Sequence, residues 1–349
     1  MDQNFDFNNQ PPQNSQPQTR YVTYIPYGMT PEEYEEKKEL KKTANTIGGS
    51  FLIVLAINAG IVLICSLVFL VLSVFGINVP INILENPVFL QVLQVVLSVL
   101  MFTFPFALLF KVMGFRISDL ISFKKPNRED ILPFFLLGIA FCAFSNIAVS
   151  FMGSFFSSFG INYEVDFGQK PSGILGFMLT AIATAVVPAL VEEFACRGIV
   201  LGSLRKYGDG FAVVCSAAVF GIMHGNFQQI PFAFLVGLVL GFIAVKTDTI
   251  WIAVAVHFFN NFISVVLDYL FMDLSVPSQN VIYSIYLVLC LLVGIFAVYR
   301  LKDKEDVYKL KKAENHSANK TLYKWFFASP TIIIFIVICF IESLAFFKF

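Results

Sequence analysis

The sequence predicts an all-α fold, a polytopic membrane helix bundle with about eight to nine transmembrane helices, on three observations. Of its 349 residues 57% are hydrophobic and only 14% charged, against roughly a quarter charged in soluble domains. The mean hydropathy is +0.75. Apolar runs of ~20 residues, the length that crosses a hydrocarbon core about 30 Å thick, recur along the chain. This composition excludes a soluble enzyme. The 24 Lys and Arg balance the 24 Asp and Glu, and without a basic stripe interleaved with aromatics nucleic acid is excluded as a partner. Cys65, Cys142, Cys196, Cys215, Cys290 and Cys339 stand singly in apolar runs, without zinc-knuckle or disulfide-scaffold spacing, and are expected to be buried free thiols.

Residues 1–29, rich in Asn, Gln and Pro, have too little apolar content to fold and read as a disordered tail. Thr30, Pro31 and Glu33 occupy N-cap, first-turn and capping-box positions, so a short juxtamembrane helix over 31–43 feeds the first span. No apolar core precedes it, and no cleavable signal peptide is expected. Nine candidate spans follow at about 47–76, 88–110, 131–157, 173–204, 210–225, 230–246, 249–270, 280–299 and 328–346. The chain thus divides into a tail with its juxtamembrane helix (1–45), a helical bundle (46–300), and a basic loop with a final span (301–349).

Lys and Arg alternate along these spans as the positive-inside rule requires. With nine spans, 21 of the 24 fall on one side, Lys170 and Lys348 on the other, and Arg197 within a span. That asymmetry predicts an integral membrane protein with a cytoplasmic N-terminus and an external C-terminus. The basic, partly amphipathic stretch 112–130 reads either as a segment along the inner leaflet or as an ordinary loop. Gly237 and Gly241 permit close helix packing. Asp268 and Glu342, near outer span ends, are expected to face headgroups.

Charged side chains in hydrocarbon cost a few kcal/mol each, so those retained there are functional candidates. Glu192, Glu193 and Arg197 lie in the fourth span, His224 in the fifth, and His257 with Asn260 and Asn261 in the seventh. At ~1.5 Å rise per residue, Glu193, His224 and His257 lie roughly 18, 22 and 14 Å from the nearest cytoplasmic charge on their helices. Three helices therefore bring polar groups to similar depth. Spacing i,i+4 pairs Glu193 with Arg197, Phe220 with His224, and His257 with Asn261. Glu192, rotated by ~100° from Glu193, is left to face His224, where a carboxylate and an imidazole can activate water. A structural interhelical hydrogen-bond network is the competing reading of the same residues.

Together the motifs EExxxR (Glu192, Glu193, Arg197), FxxxH (Phe220, His224) and HxxxN (His257, Asn261) resemble those of the CAAX-protease and bacteriocin-processing (CPBP, or Abi) family, relatives of the type II CAAX prenyl endopeptidase. The resemblance covers about residues 173–266; Cys196 departs from it, standing where many relatives have an aromatic residue. It implies an intramembrane endopeptidase acting on a membrane-embedded or lipidated peptide or protein. Glu192 and His224 would activate the water, His257 and Asn261 would stabilise the oxyanion, and Glu193, Arg197 and Phe220 would support them. No cofactor is expected. HExxH is absent, and zinc held by Glu192, His224 and His257 is the alternative. A non-catalytic membrane scaffold or bacteriocin-immunity protein, and a proton-coupled transporter, are the readings from other classes; no internal repeat favours the transporter.

Overall fold

A computed structural model describes residues 25–75, 86–160, 162–163 and 170–348. Residues 1–24, most of the expected tail, lie outside them. Eleven helices account for the described fold. Helix α1 (Pro31–Val74) begins at the expected box: the Thr30 hydroxyl accepts from the Glu33 amide at 3.2 Å, and the Glu33 carboxylate accepts from the Thr30 amide at 3.0 Å. The juxtamembrane helix and the first span are thus one uninterrupted helix of 44 residues. At ~1.5 Å per residue it is about 66 Å long, twice a hydrocarbon core. Its first half buries Leu40, Ala44, Ile47 and Phe51, whereas Val62, Leu63 and Ile64 beyond them are exposed, as a lipid-facing surface requires.

Helices α2 (Pro87–Val112), α3 (Ile117–Leu120), α4 (Arg128–Ser158) and α5 (Gly173–Tyr207) follow. Then come α6 (Asp209–Ile222), α7 (Gln229–Thr247), α8 (Trp251–Phe271), α9 (Val276–Leu301), α10 (Asn319–Phe327) and α11 (Pro330–Leu344). Seven of these are long and apolar enough to cross a membrane, and α10 with α11, bent by 65°, make an eighth if counted as one span. The protein is an integral membrane protein. The expected fifth span is the exception, because α6 has 14 residues. At about 21 Å it stops short of a full crossing. It ends within the bundle and turns back into α7 through 223–228, where Gly225 takes a φ of 61°. The two helices pack closely, Gly237 against Ala217.

One end of the bundle collects the basic side chains and ties the helix ends together. Lys206 reaches Glu39 at 2.6 Å, Arg205 reaches Asp248 at 3.0 Å, and Lys246 donates to the Asp306 carbonyl at 2.7 Å. Lys304 pairs with Asp130. The segment 112–130 does not lie free along a leaflet: after the single turn of α3, Ile121 is buried against Gly198. A Cβ at Gly202 would meet the Leu120 carbonyl oxygen at 2.1 Å, so only glycine lets this segment seat on α5.

The apolar core lies between that end and the polar site. Ile199, Val200, Leu204, Ala212 and Cys215 are fully buried there, with Phe211 and Val213 beside them. Five cysteines are buried, but Cys65 is exposed on α1, contrary to expectation, because the second half of that helix is left uncovered by the other described residues. Asp268 pairs with Lys170, and the Glu342 carboxylate lies against Gly225, so neither acid simply faces headgroups. Two short extended segments, Asn162–Tyr163 and Phe347–Lys348, pair antiparallel at the end opposite the basic one.

Candidate active site

Helix α5 is locally irregular where it carries the carboxylates. Two wide π-helical stretches, Ile182–Val186 and Phe194–Val200, bracket the regular segment Val187–Glu193. Such insertions recur at functional sites because they re-aim side chains and free backbone groups. Pro188 explains the first: a proline has no N–H to give the carbonyl four residues back. That carbonyl is Thr184, and it accepts instead from the Asn261 side-chain amide of α8 at 3.0 Å. In the second stretch the Cys196 carbonyl accepts both from the Leu201 amide, five residues on, and from the Ser216 hydroxyl of α6 at 2.8 Å.

Glu193 and Arg197 form the ion pair their spacing suggested, Arg197 Nη1 to Glu193 Oε1 at 2.7 Å, with both side chains fully buried. The same carboxylate oxygen lies 2.8 Å from His257 Nδ1. A carboxylate only accepts, so Nδ1 carries the proton and the ring is turned with Nε2 away from Glu193. His257 Nε2 then stands 3.9 Å from Glu192 Oε2. His257 thus sits between the two glutamates, beyond what its own helix spacing had shown.

Phe220 is the hub of the site. The Arg197 guanidinium lies over its ring at 4.1 Å. Its edges meet the rings of His224 and His257, with centroids 5.2 and 5.9 Å away. Because α6 ends at Ile222, the Phe220 carbonyl is open to a side chain, and His224 Nδ1 takes it at 2.8 Å. The carbonyl is acceptor-only, which puts the His224 proton on Nδ1 and leaves the Nε2 lone pair for other work. Among the described residues no hydrogen bond joins Glu192 directly to His224.

Glu192, His224, His257 and Asn261 all line one cavity of about 1110 Å³, between α2, α4, α5, α7 and α8. The seven residues singled out from the sequence are therefore brought together, four on the cavity and Glu193, Arg197 and Phe220 at or beneath its floor. Asn260 donates to the Asn261 carbonyl oxygen at 3.0 Å, orienting that amide so that its nitrogen faces Thr184. Three contributors went unnoticed in the sequence. Thr184 acts through its backbone. Gln91 reaches Thr180 at 2.7 Å and Tyr269 reaches Thr180 at 3.0 Å, extending the polar wall. Pro188 and the two glutamines, Gln91 and Gln94, spaced i,i+3 in an apolar helix are the signals that could have found them.

The zinc alternative meets an obstacle in the donor geometry. Among the described residues, no group of three His, Cys, Asp or Glu side chains converges closely enough to hold a metal ion. Glu192, His224 and His257 share the cavity without converging into such a group.

Comparison with known proteins follows the same residues. The type II CAAX prenyl endopeptidase Rce1-like family matches residues 174–263, which span α5 to α8 and contain all three motifs. A curated Bacillus subtilis (strain 168) protein named "Putative membrane peptidase YdiL" is 27% identical over 112 residues, 32% of this chain and 46% of that protein. The matched segment thus spans about half the length of that relative. No solved structure matches the chain. Glu192, Glu193, Arg197, Phe220, His224, His257 and Asn261 all lie inside the segment that is similar to the type II CAAX prenyl endopeptidase Rce1-like family.

Proposed function

We propose that the protein is an intramembrane endopeptidase that hydrolyses a peptide bond in a membrane-associated or lipidated peptide, with a water activated by Glu192 and His224. The observation that carries this reading is the convergence of Glu192 from α5, His224 from the turn after α6, and His257 and Asn261 from α8 on one large cavity within the membrane bundle. The family match over 174–263 supports it.

Each residue has a role its surroundings favour. Glu192 borders the cavity with His257 Nε2 3.9 Å away and, among the described residues, no lysine or arginine paired with it, so its carboxylate can take a proton from water. His224 presents an unprotonated Nε2 that can accept a hydrogen bond from the same water, and the protonated Glu192 carboxyl then gives the proton to the leaving amine. Glu193 and Arg197 cancel each other's charge. With Nδ1–H on Glu193, His257 serves the tetrahedral intermediate by donating from Nε2, where negative charge develops, which requires a proton on both ring nitrogens. Asn261, with one amide hydrogen on Thr184, has a second to offer the same oxyanion. Glu193 acts as a positioning residue by fixing the His257 ring. The chemistry proceeds on these groups without a metal ion.

The test is hydrolysis of a panel of quenched fluorescent lipidated peptides by the detergent-purified protein, with and without a zinc chelator. Cleavage that survives the chelator supports the reading. Cleavage lost to the chelator and restored by zinc replaces it with a metalloenzyme, and solute uptake into proteoliposomes without cleavage replaces it with a transporter.

A further inference from the structure

Among the described residues, those lining the cavity run from the site toward one end of the bundle, the end without the basic side chains. Its mouth is lined by Pro87 at the start of α2, Ser154 near the end of α4, Lys170 ahead of α5 and Asp268 near the end of α8. Each of these helix ends is opposite to the ends that carry Lys206, Lys246, Asp248 and Lys304. The basic end itself is sealed beneath the site by the buried side chains of Ile199, Val200, Leu204, Phe211 and Val213. Ser122 and Thr249 close it further, donating across it to the carbonyls of Asp248 and Lys124 at 2.6 Å each.

Depth makes the asymmetry informative. His257 lies roughly 14 Å from Asp248 at the basic end and roughly 16 Å from Asp268 at the mouth, counting ~1.5 Å per residue. Glu192 lies roughly 20 Å from Arg205 and roughly 28 Å from Gly173 on the same count. The site is at least as near the sealed face as the open one, so the direction of access is a property of the packing and not of proximity. By the positive-inside rule the sealed, basic face is cytoplasmic.

We infer that the cavity takes its peptide from the extracytoplasmic face, as an extended, uncharged segment entering beside the Lys170–Asp268 pair. This rests on the peptidase reading for the word peptide, but not for the direction of access. Backbone N–H and C=O groups cannot go unpaired at membrane depth, and Gln91, Asn146, Ser150 and Gln229 provide neutral partners along the walls. Phe156 and Phe232 provide apolar surface beside them. The one charged pair at the mouth already satisfies itself.

The direction can be read without turnover. In the full-length protein with Cys65→Ser, the remaining cysteines are buried, so single cysteines can be introduced and followed. Gln94→Cys and Ser154→Cys, both exposed on the cavity wall, and Lys312→Cys, exposed at the basic end, are each treated with a charged, membrane-impermeant maleimide in sealed right-side-out vesicles. We expect Gln94→Cys and Ser154→Cys to label from outside and Lys312→Cys to label only after lysis. Labelling of Lys312→Cys from outside, or of the cavity positions only after lysis, overturns the inference. The Glu192→Gln variant carrying Ser154→Cys must label identically, which separates this result from any failure of the peptidase reading.

Discussion

Replacing Glu193 by Gln keeps its shape and removes one charge from the most enclosed ion pair in the molecule. Arg197 then has no counter-charge among the described residues: Glu193 Oε1 is its one hydrogen-bonded carboxylate there, and its Nε and Nη2 make no hydrogen bond. Breaking a buried pair from one side costs about 3–5 kcal/mol, because the orphaned charge stays desolvated. At roughly 2–4 °C per kcal/mol that is a loss of about 6–20 °C in melting temperature. His257 loses its anionic acceptor in the same step, so hydrolysis should fall together with stability. Replacing both partners, Glu193→Leu with Arg197→Leu, removes the orphan and should recover most of the melting temperature, since apolar pairs often substitute for buried ion pairs at little cost. It should not recover hydrolysis, because the His257 ring is still unanchored. Fluorescence-detected melting in detergent, beside peptide hydrolysis, reads both. A single-variant shift below about 3 °C, or a double variant no more stable than the single, would refute the reasoning.

Other consequences follow from particular contacts. Asn261→Ala should lower kcat by about 10²–10³ with little change in KM, as for loss of one oxyanion donor; an effect confined to KM would assign Asn261 to binding. Gly202→Ala drives a methyl group into the Leu120 carbonyl oxygen, and thermal melting should show a loss of about 1–3 kcal/mol. At the basic end, burial opposes ionisation of Asp248, but hydrogen bonds and charges from Lys124 and Arg205 outweigh it and hold its carboxyl below the ordinary range. A depressed carboxylate contributes stability that is complete above its unfolded value, about pH 4. That contribution is lost as pH falls through the lower folded value. Melting measured from pH 6 downward should therefore show an acid-dependent decrease that is smaller in Asp248→Asn.

Several features were legible in the sequence because they depend on one helix at a time. The Thr30 and Glu33 capping box, the Glu193–Arg197 pair and the Phe220–His224 ring contact all follow from spacing within a helix, and each is present. What the sequence could not show depends on how helices meet. Glu192 was expected to face His224 directly, yet the nearest imidazole contact it makes is with His257, because His224 turns its Nδ1 back onto the carbonyl exposed by the end of its own helix. The link from His257 to Glu193 needs α8 and α5 side by side, and the link from Asn261 to Thr184 needs the carbonyl that Pro188 leaves open. Span counting placed a crossing at 210–225, but α6 stops at Ile222, and His224, Gly225, Asn226 and Gln228 in the 223–228 turn bring the chain back into α7. Exposure of Cys65 likewise depends on which half of α1 finds neighbours.

The most direct test is the turnover of Glu192→Gln. The variant keeps the volume and hydrogen-bonding reach of the side chain but cannot accept a proton from water. With a cleavable lipidated peptide, we expect binding measured by fluorescence anisotropy to stay within a few-fold of wild type, while kcat falls by at least about 10²–10⁴. A Glu192→Gln protein that folds, binds the peptide and still cleaves it within about tenfold of the wild-type rate would contradict the assignment of water activation to Glu192.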